Sequence, residues 1–287
     1  MPSMRDIKRR RESVRSTGQI TKAMKLVATV KLQKARVHAL ETQPYFDAMF
    51  RTVRSVIAHS QGLSSPLTRG NGSKKRAVLL MTSNRGLAGG YNNNIIKTVM
   101  SQMSSEDTVI YPVGRKGRDM LAKRGYEIGN DYSDVINQPL YSDAIAIGKD
   151  LLSAFMNGEV GEIWIAYTFF KNTVTHVPTI IKLLPVESID EDQDGKPDKI
   201  EAVMNFEPGD EEALDMIIPK YIAGQIHGAL IEALASENGA RMQAMDNATS
   251  NAEDMIDDLT LKYNRARQGS ITQELTEIIA GSQALNG

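Results

Sequence analysis

The chain has 287 residues, 41% apolar and 24% charged, enough for one sizeable core plus an extended element, with a formal net charge of −1. It has no cysteine, which excludes disulfides, thiolate metal sites and thiol redox switching. No apolar run reaches the length of a membrane span, and the basic N-terminus lacks the apolar centre of a signal peptide, so a cytoplasmic protein without membrane insertion is expected. Charge is unevenly spread: Met1 to Arg36 carries eleven Lys and Arg against Asp6 and Glu12, whereas Asp190 to Asp215 carries eleven acids against Lys196 and Lys199.

Residues 1–60 read as one long helix. Between Ser3 and Ser60 there is a single proline, Pro44, and a single glycine, Gly18, and turn residues return together at Gly62, Ser64, Ser65 and Pro66. Such a helix would span about 87 Å. The stretch Ala23 to Val30 is apolar on several faces, the pattern of a helix enclosed by more than one neighbour.

The middle, 74–207, has a different grammar. Arg76 to Thr82 is a short bounded apolar run, a buried strand. A glycine-rich turn, Asn84 to Tyr91, leads into a helix ending near Met103. Asp107 to Gly114 is the next strand, Arg115 to Lys123 a helix, and Pro139 to Met156 another helix. Gly161 to Phe170 and Thr175 to Val186 are strands a few residues apart, an antiparallel edge pair. Alternating strands and helices imply a mostly parallel sheet covered on both faces, a Rossmann-like α/β domain.

Residues 208–287 form the longest element. Pro208, Gly209 and Asp210 make a helix entrance, and no proline follows Pro219, where a bend is expected. Met245, Ala248, Ala252, Met255, Leu259, Tyr263 and Ala266 recur at near-heptad spacing. The helix would be about 110 Å long, against roughly 50 Å for a compact globule of this chain, so it must project. Pairing the two terminal helices as an antiparallel coiled coil buries both stripes. If both leave the middle domain at one level, facing residue numbers add to roughly 271 by matched helical rise. Everything beyond about residue 270 then lacks a partner in its own chain.

Three stretches carry chemistry-like patterns. Gly86, Gly89 and Gly90 sit between strand and helix, where phosphates are cradled. Their spacing is neither GxGxxG nor GxxxxGK[ST], so a structural or partner-contacting turn is the stronger reading. Asp190, Asp192, Asp194, Gly195, Asp198 and Glu201 meet EF-hand spacing, but Pro197 and strand-like flanks favour a solvated acidic hairpin over calcium. Arg9, Arg10 and Arg11 on a helix fit a phosphate backbone, yet that helix has no aromatic before Tyr45. The four histidines, His38, His59, His176 and His227, fall in no ligand spacing, and no catalytic or cofactor constellation is expected.

ITQELTEIIAG near the C-terminus, SNRGLAGGYNNN after the first strand and RSTGQITKAMKLVATVKLQKA near the N-terminus together resemble the γ subunit of bacterial rotary (F-type) ATP synthase. The order matches across the chain, and Ser282 stands where the family usually has alanine. The resemblance implies a non-catalytic central rotor shaft of the proton-translocating synthase. That shaft turns inside α and β subunits and is fixed at its foot to the ε subunit and the membrane c-ring, on the cytoplasmic face of the plasma membrane. It implies contacts to the α and β ring at Met24, Lys25, Arg85, Arg267, Gln268, Thr272 and Glu274, and a foot contact at Glu207. The runner-up is an α/β domain with a helical arm that binds nucleic acid or scaffolds another complex. Acids at Glu237, Asp246, Glu253, Asp254, Asp257 and Asp258 count against an RNA arm.

Overall fold

A computed structural model describes residues 3–59, 66–186 and 210–286. It divides into two compact units, Met1–Ala28 with Met242–Gly287, and Thr29–Arg241. The terminal helices α1 (Met4–His59) and α6 (Asp210–Asn286) contribute to both. α6 is continuous through Pro219, as α1 is through Pro44.

The larger unit is built on a five-stranded sheet of order β3-β2-β1-β4-β5. β1 (Arg76–Met81) lies between β2 (Thr108–Val113) and β4 (Glu162–Phe170), parallel to both. β3 (Glu127–Ile128) joins β2 in parallel, and β5 (His176–Leu184) closes the other edge antiparallel to β4. Helices α3 (Tyr91–Gln102), α4 (Arg115–Ala122) and α5 (Tyr141–Met156) make the crossovers, and a short α2 (Pro66–Arg69) precedes the sheet. The expected mostly parallel sheet with an antiparallel edge pair is what forms.

Alternation along β1 divides the core. Ala77, Leu79 and Met81 face a cluster with Ala144, Ile147 and Leu151 of α5 and Ile218, Ile222 and Ile226 of α6. Val78 and Leu80 face the opposite cluster, with Ile95, Ile96 and Val99 of α3 and Leu121 of α4. A strand buried on both faces must read as a continuous apolar run, as RAVLLM does. Each fully buried Leu or Ile here is worth about 1.5–3 kcal/mol. Two small elements escape the sequence pattern: β3 and a 3-10 turn at Val135–Asn137, both too short to show a period. α5 starts at Tyr141 rather than Pro139, because the Asp143 carboxylate accepts the Leu140 N–H at 3.0 Å and so sets the first turn.

In the smaller unit, α1 opens on a reciprocal cap: the Asp6 N–H donates to Ser3 Oγ at 3.2 Å, and Ser3 Oγ donates to Asp6 Oδ2 at 2.8 Å. The two helices then pair. Gly18 meets Ala252, Thr21 shares a 2.7 Å hydrogen bond with Thr249, and Lys25 Nζ reaches Asp246 Oδ1 at 2.6 Å. Those pairs add to 270 or 271, the antiparallel register expected from matched rise. Arg11 stacks its guanidinium 5.3 Å from the Tyr263 ring further along.

The seam departs from the expected one at Met255. Met245, Ala252 and Leu259 are buried, but Met255 is 42% exposed while Ile256 is half-buried, and Thr249, half-buried like Ala248, bonds across to Thr21. Taking Thr249 and Ile256 in place of Ala248 and Met255 gives steps that alternate four and three, a regular heptad. Hydrophobicity alone passes over Thr249. The Thr21 hydroxyl satisfies it inside the seam.

Candidate functional site

The smaller unit presents apolar surface that stays exposed among the described residues. Ile20, Leu26 and Val27 on α1 are each more than half exposed. Residues 271–282 of α6 are exposed at every position, including Ile271, Leu275, Ile278 and Ile279. Apolar side chains concentrated on the outside of paired helices mark a surface that is covered in an assembly. This is the pattern that Ala23 to Val30 suggested, with Ala28 buried and its neighbours left outside.

Of the residues expected to touch a surrounding ring, all but Arg85 belong to the smaller unit. Met24 is half-buried and Lys25 is held by Asp246. Arg267, Gln268, Thr272 and Glu274 are exposed, with the Thr272 hydroxyl donating back to the Gln268 carbonyl at 2.9 Å. Glu207 and the acidic stretch Asp190 to Glu201 lie outside the described residues. Among the described residues, no group of three or more His, Asp or Glu could hold a metal ion.

Arg85 belongs to the larger unit, in the glycine turn, and is exposed. The turn is held from below. Ser83 and Asn92 share hydrogen bonds, the Asn84 side chain donates to the Ser133 carbonyl at 2.7 Å, and Leu87 sits at a positive φ of 64°. The amide donors at the start of α4 are consumed by the same segment. The Arg115 N–H goes to Asn84 Oδ1, Lys116 N–H to the Ser83 carbonyl, and Gly117 N–H to Thr82 Oγ1. Gly114 permits this with a φ of 133°, where a Cβ would collide with the Thr82 carbonyl. The start of α4, its donors already satisfied, offers none to a phosphate, whereas the glycine turn itself opens α3 through Gly90.

The carboxyl end of the sheet, where doubly wound folds bind ligands, is instead taken by α6. The Tyr91 hydroxyl donates to the Ala233 carbonyl at 3.1 Å, Ser236 Oγ donates to the Thr168 carbonyl, and Arg241 reaches the Gly86 carbonyl at 3.5 Å. Arg241 also pairs with Glu237 at 2.7 Å, with 14% and 11% of the two side chains exposed. Burial raises the Glu237 carboxyl above its ordinary range, and Arg241 offsets part of that. Sequence reasoning missed Arg241. Its only signal was a Glu and an Arg four apart on a helix.

The structure also brings together two histidines that no spacing linked. His38 and His227 have ring centroids 5.7 Å apart, with Tyr141 5.5 Å from His227. Burial, then His38, pushes His227 down to about 4, so it is neutral at physiological pH.

The described features define a class: a Rossmann-like α/β domain whose terminal helices pair and display apolar surface. The family model described as ATP synthase matches residues 3–285. The chain is 62% identical to the ATP synthase gamma chain of Lachnoclostridium phytofermentans over the full length of both. It is 40% identical to the sodium ion specific ATP synthase gamma chain of Acetobacterium woodii, covering 99% of each. A chain of the Euglena gracilis mitochondrial ATP synthase shares the fold at TM-score 0.68 and 18% identity, with 98% of this chain and 94% of that one aligned. The chain belongs to the ATP synthase gamma-chain family, a non-catalytic subunit of that enzyme.

Proposed function

We propose that this chain is the central rotor shaft of a bacterial ATP synthase, carrying ion-driven c-ring rotation to the catalytic β subunits. The observation that carries this reading is the full-length 62% identity to a gamma chain. The chain turns within the α and β subunits and is fixed at its foot to the ε subunit and the c-ring. It works peripherally on the cytoplasmic face of the plasma membrane. No helix among the described residues is long and apolar enough to cross a membrane.

The mechanism is allostery by rigid-body rotation. Each orientation of an eccentric shaft makes differential contacts with open and closed β subunits, and only that difference shifts their populations. Ile271, Leu275, Ile278 and Ile279 would turn in an apolar sleeve, where nondirectional contact lets the shaft slip. Arg267, Gln268, Thr272 and Glu274 would make orientation-dependent polar contacts below it, and Met24 and Lys25 would do so from α1. Arg85, on a turn braced by Asn84, Asn92 and Arg241, would make the second contact to β. Glu207 would meet the c-ring. A nucleic-acid arm gains no support, since the gamma-chain match runs the whole length.

Reconstitution tests this reading. The full chain, added to α and β subunits and viewed through an attached bead, is expected to rotate in steps driven by ATP hydrolysis. The purified chain alone is expected to hydrolyse no ATP. Hydrolysis by the isolated chain, or an assembled complex without rotation, would refute the assignment.

A further inference from the structure

Four Asn-Gly pairs stand in the sequence: Asn71–Gly72, Asn157–Gly158, Asn238–Gly239 and Asn286–Gly287. Such a pair is chemically labile, because glycine has no Cβ to shield its backbone nitrogen from the preceding carboxamide carbon. In sequence the four are equivalent. In the fold they are not.

Asn71 is locked from three sides. Its Nδ2 donates to the Phe155 carbonyl at 2.6 Å and to the Val160 carbonyl at 2.7 Å, and its Oδ1 accepts the Ser73 N–H at 3.0 Å. Asn238 lies within α6, 2% exposed, with Nδ2 on the Leu234 carbonyl at 2.7 Å. At both places the carboxamide carbon can meet the next nitrogen only after local opening. Asn286 ends α6, and its side chain lies outside those described.

Asn157 differs from both. It is the exposed residue that ends α5, and its side-chain hydrogen bond, Nδ2 to Glu159 Oε1, is long at 3.4 Å. Gly158 follows in the left-handed region at a φ of 76°. The Gly158 N–H donates to the Phe155 carbonyl and the Glu159 N–H to the Ala154 carbonyl, each at 3.0 Å, the paired bonds of a Schellman stop. Helix ends fray, so loss of this one surface turn frees the Gly158 nitrogen without disturbing the core.

We propose that Asn157 is a site of spontaneous covalent modification in the folded chain, deamidated through a cyclic imide formed with Gly158. The Gly158 nitrogen attacks Asn157 Cγ and gives up its proton to water. The Cγ–Nδ2 bond breaks, and the leaving nitrogen takes a proton from water to depart as ammonia. Water then opens the imide at either carbonyl, giving aspartate or isoaspartate, so that water is consumed and ammonia released in equal amounts. Aspartate adds a carboxylate at the C-terminal end of α5, beside Glu159, where the helix dipole disfavours it. Isoaspartate routes the main chain through the former side chain, adding a methylene inside the turn that the Schellman bonds close. Asn71 grips Phe155 and Val160 on either side of that turn, so isoaspartate loosens the corner between α5 and β4.

The test incubates the full chain at mildly alkaline pH in heavy-oxygen water. Digestion then follows in ordinary water at acid pH, so that only sites hydrolysed during incubation carry the label. Mass spectrometry of the peptides reads Asn71, Asn157 and Asn238 separately. In urea the three should react at comparable rates, since each precedes a glycine. In the folded chain Asn157 should react at least about tenfold faster than Asn71 or Asn238, whose hydrogen bonds must break first. Asn157→Gln, which can close only a larger ring, should lose the label in that peptide. The isoaspartate product, recognised by isoaspartyl-specific methyl transfer from S-adenosylmethionine, should show faster amide exchange from Gly158 to Gly161. Asn157→Asp, with an ordinary main chain, should show a smaller increase. Equal folded-state rates at the three sites, a faster Asn71 or Asn238, or label at Asn157 only in urea would overturn the site. Exchange unchanged by isoaspartate would overturn the loosening of the corner.

Discussion

Replacing Gly18 with leucine tests the paired helices at their closest approach. A Cβ at Gly18 lies 3.3 Å from the Ala252 Cβ, tighter than ordinary contact. Leucine adds three further carbons where the helices already touch. Overpacking of this kind costs about 1–3 kcal/mol, and helix propensity returns about 1 kcal/mol relative to glycine. If the helices separate to admit the side chain, the Thr21–Thr249 hydrogen bond three residues away is lost as well, worth about 1 kcal/mol. The net expectation is a loss of about 1–3 kcal/mol for Gly18→Leu. Gly18→Ala should stay within about 1 kcal/mol, because its propensity gain offsets one tight contact. Lys25→Ala should cost less than about 1 kcal/mol, since Lys25 and Asp246 are 39% and 58% exposed and water screens the pair. Amide exchange at Thr21, Met245 and Ala252 measures all three locally. Protection should fall in the order Lys25→Ala or Gly18→Ala, then Gly18→Leu. Wild-type protection in Gly18→Leu would show that the helices do not meet at this register.

The segment 271–282, exposed throughout and weakened by Gly269 and Gly281, should exchange freely in the isolated chain and gain protection in the assembled head; Met245 to Tyr263 should be protected in both. Strong protection of the segment in the free monomer would refute the shaft reading. Met24→Lys, placing an ammonium at a half-buried point of the paired helices, should lower ion pumping per ATP hydrolysed while hydrolysis persists; normal pumping in a fully assembled enzyme counts against the proposed contact. Glu232 supplies a pH test. Its folded carboxyl sits at about 7 against an ordinary 4.5, so between those values the folded chain holds a proton that the unfolded chain has released. Stability should therefore fall as pH rises from 4.5 to 7, by at most about 3 kcal/mol, and flatten above. In Glu232→Gln that component should vanish from urea unfolding curves; an unchanged pH slope would show that burial does not raise this carboxyl.

Much of the architecture was legible in the amino-acid order because its elements are long or strongly periodic. RAVLLM reads as a strand covered on both faces, and the long helical stretches each hold a single interior proline, Pro44 in α1 and Pro219 in α6. The antiparallel register also followed from the chain, since helical rise is constant and both helices depart from one domain. Local pattern could not decide which residues occupy the seam. Thr249 reads as polar and Met255 as apolar, yet Met255 is exposed while Thr249 meets across the helices a hydroxyl from a residue 228 positions away. The same limit applies to the glycine turn. Its composition admits a phosphate, and only the fold shows that α6 covers the sheet's carboxyl end, with Arg241 on the Gly86 carbonyl. Arg241, the His38–His227 pair and the enclosed Glu232 carboxyl were equally invisible. Burial and partner distance are properties of chain segments far apart in sequence, and only tertiary packing brings those segments together.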